Sequence, residues 1–209
     1  MKGIIEDLNW RYATKLFDPK KKVSQSDLNE LLEALRLSAS SHGIQPWKFV
    51  VVTDKKLREE LRKSARGQPQ VTDASHLIVL CVRTNVDEKH IKKYIQDMAK
   101  TRNVTVNSLK DYEGSMTGSI KRKDKEEILE WSIRQVYISL GMLLTACATK
   151  RIDACPMEGF DHTAFDRLLG LEKEKLTSVV LCPVGYRGND KYAKAKKVRF
   201  PQSEIIIKR

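Results

Sequence analysis

Residues 124–150 read DKEEILEWSIRQVYISLGMLLTACATK, and their pattern decides the fold class. Asp124 with Glu127 three residues on resembles a capping box, with Asp in the place usually held by Ser or Thr. Downstream, Ile128, Trp131, Ile133, Val136, Tyr137, Leu140, Leu143, Leu144 and Cys147 wrap widely around a helical axis. A helix apolar over so wide an arc is not a surface helix; it is central to a domain or shared at a subunit interface.

Outward from this helix, strands and helices alternate irregularly. The nearly continuous apolar run from His76 to Thr84 reads as a strand covered on both faces, and Thr177 to Tyr186 as another. Lys48 to Thr53 is a strand entered through Gln45-Pro46-Trp47, where proline biases its predecessor towards extended geometry. Glu204-Ile205-Ile206-Ile207-Lys208 offers a terminal strand. Ser24 caps a helix with Leu28, Leu31, Leu32 and Leu35 on one stripe, and Asp27 suits its positive end. A charged helix carries Leu57 and Leu61, and Asp161 to Leu169, closed by Gly170, forms a short capped one. From Val86 the pattern is helical through Ile91, Ile95 and Met98, then a Ser/Gly-containing loop runs to about Gly118. These elements describe an α+β fold, mixed helices and strands around a central sheet.

At 209 residues the chain suits one domain with a sizeable core. No apolar run approaches the ~20 residues of a membrane span. The start, Met1-Lys2-Gly3-Ile4-Ile5-Glu6, lacks a signal peptide's apolar region, which points to the cytoplasm. Cys81, Cys147, Cys155 and Cys182 are far apart and form no C-x-x-C, as buried thiols in a reducing compartment would. His42, His76, His90 and His162 are scattered without ligand spacing, so no metal site is expected. The net charge of +12 raises the question of nucleic acid. The densest basic patches, Lys121-Arg122-Lys123 and the stretch from Lys191 to Arg199, belong to no nucleic-acid-binding motif. Attraction of anionic cofactors and substrates explains the charge at least as well.

Four short segments carry chemistry. In Arg11-Tyr12-Ala13-Thr14-Lys15-Leu16-Phe17, Arg11 and Lys15 are four apart, on one face if the segment is helical, where two such cations repel mildly unless an anion lies between them; taken alone the pair is equally solvated surface. Leu37-Ser38-Ala39-Ser40-Ser41-His42-Gly43-Ile44-Gln45-Pro46-Trp47 offers hydroxyls and backbone N–H groups to a phosphate or ring heteroatoms; taken alone it is equally a polar connecting loop. In Cys155-Pro156-Met157-Glu158-Gly159-Phe160, Gly159 allows a flat ligand to approach the main chain. In Lys196-Lys197-Val198-Arg199-Phe200-Pro201, Lys197 and Arg199 point the same way if extended, and the pair suits a phosphate or a solvated tail.

The order and spacing of R-Y-x-T-K-x-F, S-x-S-S-x-x-x-Q-P-W, the D-A-S-H of Asp73 to His76, P-x-E-G-F and K-x-R-x-P closely resemble the bacterial FMN-dependent NAD(P)H nitroreductase family, in its oxygen-insensitive nitroreductase and dihydropteridine reductase-like branch. Glu130-Trp131 followed by Arg134-Gln135-Val136-Tyr137 looks like that family's central helix. The resemblance covers essentially the whole chain. It implies a single nitroreductase-like domain over residues 1–209, with a mostly antiparallel sheet flanked by helices and a long buried central helix. Roughly residues 86–123 are an excursion over the active site, and two chains intertwine in a homodimer with FMN at the interface.

The resemblance also implies roles. Arg11, Tyr12, Ala13 and Lys15 contact FMN, Arg11 near the phosphate and Lys15 near the pyrimidine end. Lys197 and Arg199 are the C-terminal phosphate pair, while Ser38, Ala39 and Ser40 form the loop supplied by the partner subunit. Gln70 supplies an amide to the ring, and Glu158 with Gly159 lies beside flavin N5. Ala13 replaces a serine common in the family, and Met116 and Thr117 stand where relatives often have phenylalanines on the acceptor side. A Lys15 ammonium near N1 and O2 would stabilise the reduced anion more than the oxidised ring. The implied activity is ping-pong two-electron hydride transfer from NAD(P)H to nitroaromatics, quinones or other flat acceptors, without a membrane or specific nucleic acid as partner. Flavin-consuming and dehalogenating branches share the same cradle. From another class, a basic regulatory or nucleic-acid-binding protein could keep the fold without the cofactor.

Overall fold

The computed structural model describes residues 3–209; Met1 and Lys2, which open the segment read above for a leader, lie outside them. Four strands, β1 (Trp47–Val52), β2 (His76–Arg83), β3 (Asp153–Ala154) and β4 (Leu176–Gly185), form one sheet in the order β1-β2-β4-β3. Every pairing is antiparallel, and β2 is held centrally, with Trp47 opposite Val82 on one side and His76 opposite Val184 on the other. Alternation along β2 divides the core. Ile78, Leu80 and Val82 face one layer with Val180, Cys182 and Val184, while Leu77, Val79 and Cys81 face the other with Leu181.

The first layer is α2 (Gln25–Arg36) and the long helix α7 (Lys125–Thr149), beside the short N-terminal α1 (Ile4–Trp10). Ser24 caps α2 by accepting from the Asp27 N–H, and Asp124 and Glu127 complete the capping box of α7. Leu31, Leu35 and Leu143 are fully buried between these helices and the sheet. The opposite layer is α3 (Lys55–Lys63), the single turn α4 (Gln70–Asp73) and α8 (His162–Leu169), packed through Leu61, Val71 and Phe165. Gly170 ends α8 at φ +66°, the left-handed conformation expected of a glycine after a helix.

Residues 86–123 differ from their reading in one respect. After α5 (Glu88–Arg102), residues read as a Ser/Gly-containing loop form a helix, α6 (Lys110–Lys121). Packing overrides the poor helix propensity of Gly114 and Gly118. Met116 and Ile120 join Ile44, Ile91, Ile95 and Ile128 in a small third core, and Met116 is 0% exposed. The terminal strand is also corrected: Gln202–Ile205 is a short helix, α9, and Ile205, Ile206 and Ile207 remain exposed with no strand partner among the described residues. β propensity alone does not create a strand without a sheet edge to complete.

Three side chains of the excursion grip the turn at residues 42–44. Tyr112 donates its hydroxyl to the His42 carbonyl at 2.8 Å, His90 Nε2 lies 2.7 Å from the Ile44 carbonyl, and Tyr94 packs over Gly43. Gly43 has φ +72°, and a Cβ there would stand 2.2 Å from the Tyr94 hydroxyl. Gly43→Ala is therefore expected to lower stability by about 2 kcal/mol in urea unfolding, part of it recovered by adding Tyr94→Phe. A loss below about 0.5 kcal/mol, the range of a neutral surface change, would show that the turn is not so constrained.

Candidate functional site

Two buried carboxylates hold the N-terminal segment against the sheet. Asp153, 3% exposed in β3, accepts from the Thr14 hydroxyl at 3.3 Å, from Arg187 Nε at 2.7 Å and from the Arg187 N–H at 2.8 Å. The Arg187 guanidinium then lies over the rings of Trp10, at 4.2 Å, and Tyr12, at 4.7 Å. Asp190 receives the Tyr12 hydroxyl at 3.0 Å and the N–H groups of Lys15, Leu16 and Tyr192 at 2.7, 3.2 and 2.9 Å. Burial opposes ionisation of Asp190. The Tyr192, Lys15 and Leu16 N–H groups and the Tyr12 hydroxyl outweigh it and hold the carboxyl below its ordinary value. Burial, then Asp190, push the Tyr12 phenol up to about 12.

Because the folded-state pKa of Asp190 is depressed, its contribution is present at neutral pH. It is lost as pH falls below the ordinary carboxylate value of 3.8 towards the folded one. Asp190→Asn is expected to flatten the acid limb of stability between about pH 5 and 2, measured by thermal unfolding. An acid limb identical to that of the parent would contradict this role.

Between α1, residues 11–13 and residues 192–199 lies a cavity of about 360 Å³. It brings Arg11, Tyr12 and Ala13 together with Lys197 and Arg199 from the other end of the chain. Lys197 donates to the carbonyl of Leu8 at 2.9 Å and to that of Arg11. Burial first, then the charges of Arg11 and Arg199, push its ammonium down. Arg199 is exposed and donates to the Val198 carbonyl at 2.6 Å. Among the described residues none of the three cations is ion-paired with a carboxylate; the ion pairs nearby belong to Arg151 and Arg187.

Lys15 has an exposed side chain on a backbone fixed by Asp190. Gln70 is the first residue of α4 and 5% exposed, and its Oε1 has no hydrogen-bond partner among the described residues. Both act on the buried Cys155 thiol. Burial pushes that thiol up, while Lys15, the Gln70 amide and Arg11 pull it down. Glu158 is exposed and accepts a short hydrogen bond from the Tyr137 hydroxyl of α7. That phenol is pushed up to about 12, by burial first and then by Glu158. The Gly159 carbonyl accepts from Gln68 Nε2 at 3.0 Å, and a Cβ at Gly159 would meet Arg66 and Gln68 only at an ordinary 3.6 Å. The chain itself therefore does not demand glycine there.

Ser38, Ala39 and Ser40 stand apart. Ser38 donates to the Ala34 carbonyl at 3.0 Å, Ser40 accepts from the Gln45 N–H at 3.0 Å, and Ala39 is exposed. Among the described residues no hydrogen bond joins them to Arg11, Lys15, Lys197 or Arg199 of the same chain.

Asp153, Arg187 and Asp190 belong to none of the motifs, and Tyr137 is singled out by the sequence only as part of the central helix. One signal was present for Asp153: a lone carboxylate in the apolar run Ile152-Asp153-Ala154-Cys155 must find a cation or donors when the segment is buried. Asp190 has no such context, since its partners Lys15 and Tyr12 lie 175 and 178 residues away.

The model of the Nitroreductase family matches residues 8–186. A Staphylococcus haemolyticus protein provisionally named NAD(P)H nitroreductase is 36% identical, the match covering 97% of this chain and 95% of that one. The nitroreductase family protein from Streptococcus pneumoniae superposes with a TM-score of 0.82 at 26% identity, over 99% of this chain and 100% of that one. A provisionally named nitroreductase from Exiguobacterium sibiricum, solved in complex with FMN, shares the fold with a TM-score of 0.84 at 21% identity, over 100% of this chain and 98% of that one. With relatives so similar over nearly the full length and a family match that spans all four strands of the sheet, this chain belongs to the nitroreductase family of oxidoreductases.

Proposed function

We propose that the chain binds FMN in the cavity bounded by Arg11, Lys197 and Arg199 and uses NAD(P)H to reduce nitroaromatics, quinones or similar flat acceptors. One observation carries this reading: Arg11, Lys197 and Arg199 line a single cavity with no ion-paired carboxylate among the described residues, and after burial the two arginines push the Lys197 ammonium down. The unpartnered buried carbonyl of Gln70 is a second fit, since it would accept from a heteroaromatic N–H. The FMN-bound relative supports the same cofactor here.

Bound FMN supplies two-electron hydride chemistry; the protein supplies binding, orientation and electrostatics. Arg11, Lys197 and Arg199 would hold its phosphate, with Tyr12 and Ala13 as the wall beside it. Lys15 would supply a positive charge to the bound group. Glu158, held by Tyr137, and Gly159 would border it, and solvent would provide the proton. Ser38, Ala39 and Ser40, outside the lining of the cavity in one chain, are read as the contribution of a second copy.

A homodimer follows the same logic. Tyr137, Ile138 and Met142 leave an apolar strip on α7 exposed by 37, 46 and 45%, and Phe200 and Ile207 of the tail are exposed by 74 and 79%. Residues 86–123 are read as an excursion over the acceptor side. Met116, buried in the third core, then leaves acceptor shape to its neighbours on α6. Steady-state rates with NAD(P)H and a nitroaromatic varied together should give parallel reciprocal plots, as a ping-pong sequence requires. Absence of acceptor-dependent NAD(P)H oxidation by the FMN-loaded protein would overturn the proposal.

A further inference from the structure

A separate cavity of about 280 Å³ lies on the opposite layer, where α3 meets the turn before β2. Its walls include Lys22, Lys55, Arg58, Thr53, Thr72 and Ser75, with Glu59 the one carboxylate among its lining residues. It shares no residue with the cavity of Arg11 and Arg199. Arg58 is 4% exposed, and burial lowers its pKa. Its Nε and two terminal nitrogens donate to the carbonyls of Val71, Ser75 and Ala74 at 2.7, 3.1 and 2.6 Å. A guanidinium has five N–H donors, so one on each terminal nitrogen is left without a protein acceptor.

No carboxylate forms an ion pair with Arg58, Lys22 or Lys55 among the described residues. Asp18 pairs with Lys21 instead, and Asp73 accepts from the Thr72 hydroxyl. This buried guanidinium has two exposed lysines at its rim, and among the described residues it makes no hydrogen-bonded contact with a carboxylate, Asp73 reaching it only through its charge. The cations also oppose one another: burial, then Arg58 and Lys55, lower the Lys22 pKa against the weaker pull of Asp18 and Asp73, and His76 next to Ser75 is lowered by burial, Arg58 and Lys22.

We infer that this cavity is a phosphate-group site independent of the FMN cradle. The anion would sit over the free Arg58 N–H groups, with Lys22 and Lys55 closing on it from solvent. Its volume admits inorganic phosphate or the terminal phosphate of a small phosphomonoester. Binding there would tie residue 22, the start of α3 and the turn into β2 to one ligand, and so stabilise the folded state by mass action.

The test uses the protein loaded with FMN, so that the other phosphate site is filled. Thermal unfolding and calorimetric titration are followed against inorganic phosphate and against glycerol 2-phosphate, at ionic strength balanced with chloride. A saturable rise in Tm with phosphate, and a matching heat of binding at one site per chain, is expected. Lys22→Ala with Lys55→Ala should weaken that binding at least tenfold while flavin content and acceptor turnover stay unchanged. Binding of phosphate alone identifies the ligand as the free ion; equal binding of glycerol 2-phosphate identifies the terminal phosphate of a larger molecule. A response no greater than that to chloride, or identical affinity in the double variant, overturns the assignment.

Discussion

Asp153→Ala is expected to remove about 3–5 kcal/mol of folding stability, since it strips a buried carboxylate from its cation. Asp153 is 3% exposed and its Oδ1 stands 2.6 Å from the Arg187 guanidinium. Without it, Arg187 keeps a partly buried charge with no counter-ion, and Thr14 loses its acceptor. The rings of Trp10 and Tyr12 lose the cation that Asp153 holds over them. These are the residues that lead into the Arg11–Lys15 segment, so flavin retention should fall together with stability. Urea unfolding followed by tryptophan fluorescence reads the first effect and flavin content after dialysis the second. Asp153→Asn should retain part of both, because the amide carbonyl still accepts one hydrogen bond. A stability change below about 0.5 kcal/mol would place the Asp153–Arg187 pair outside the folding core.

Replacing Lys197 and Arg199 together by alanine is expected to weaken FMN binding by a hundredfold or more. Each charge-assisted hydrogen bond to a phosphate contributes ~1.5–3 kcal/mol, and every ~1.4 kcal/mol is a factor of ten. Arg199 is exposed, and Lys197 makes its two contacts with the carbonyls of Leu8 and Arg11 rather than with the core. The fold should therefore survive, and the loss should appear in flavin titration rather than in the urea midpoint. The wild-type affinity should fall more steeply with salt than that of the variant, which has fewer cations at the phosphate. An unchanged dissociation constant would remove the C-terminal pair from the phosphate site.

Local hydrogen bonding made much of the fold legible in advance. Ser24 with Asp27, Asp124 with Glu127, and Asp161 with Ala164 mark helix starts through contacts only three residues apart. The apolar runs of β2 and β4 read correctly as strands because both of their faces are covered. The two misread elements fail for opposite reasons. α6 carries two glycines and is held by Met116 and Ile120 packing against residues more than seventy positions away at Ile44, a contact no local window contains. Residues 204–208 have the composition of a strand but no partner edge among the described residues. In the site, Arg11, Lys197 and Arg199 were found through motif order, and the structure brings them to one cavity. The carboxylates beneath them were not, because Asp153 and Asp190 act on backbone and side chains at the far end of the chain.

If this chain is an FMN enzyme driven by NAD(P)H, anaerobic flavin spectroscopy of the purified protein will show it. About one FMN per chain is expected, with oxidised-flavin absorbance bleached by a stoichiometric addition of NADH or NADPH and restored by a nitroaromatic or quinone. Protein that takes up no FMN when it is supplied, or whose bound flavin neither nicotinamide reduces, would contradict it.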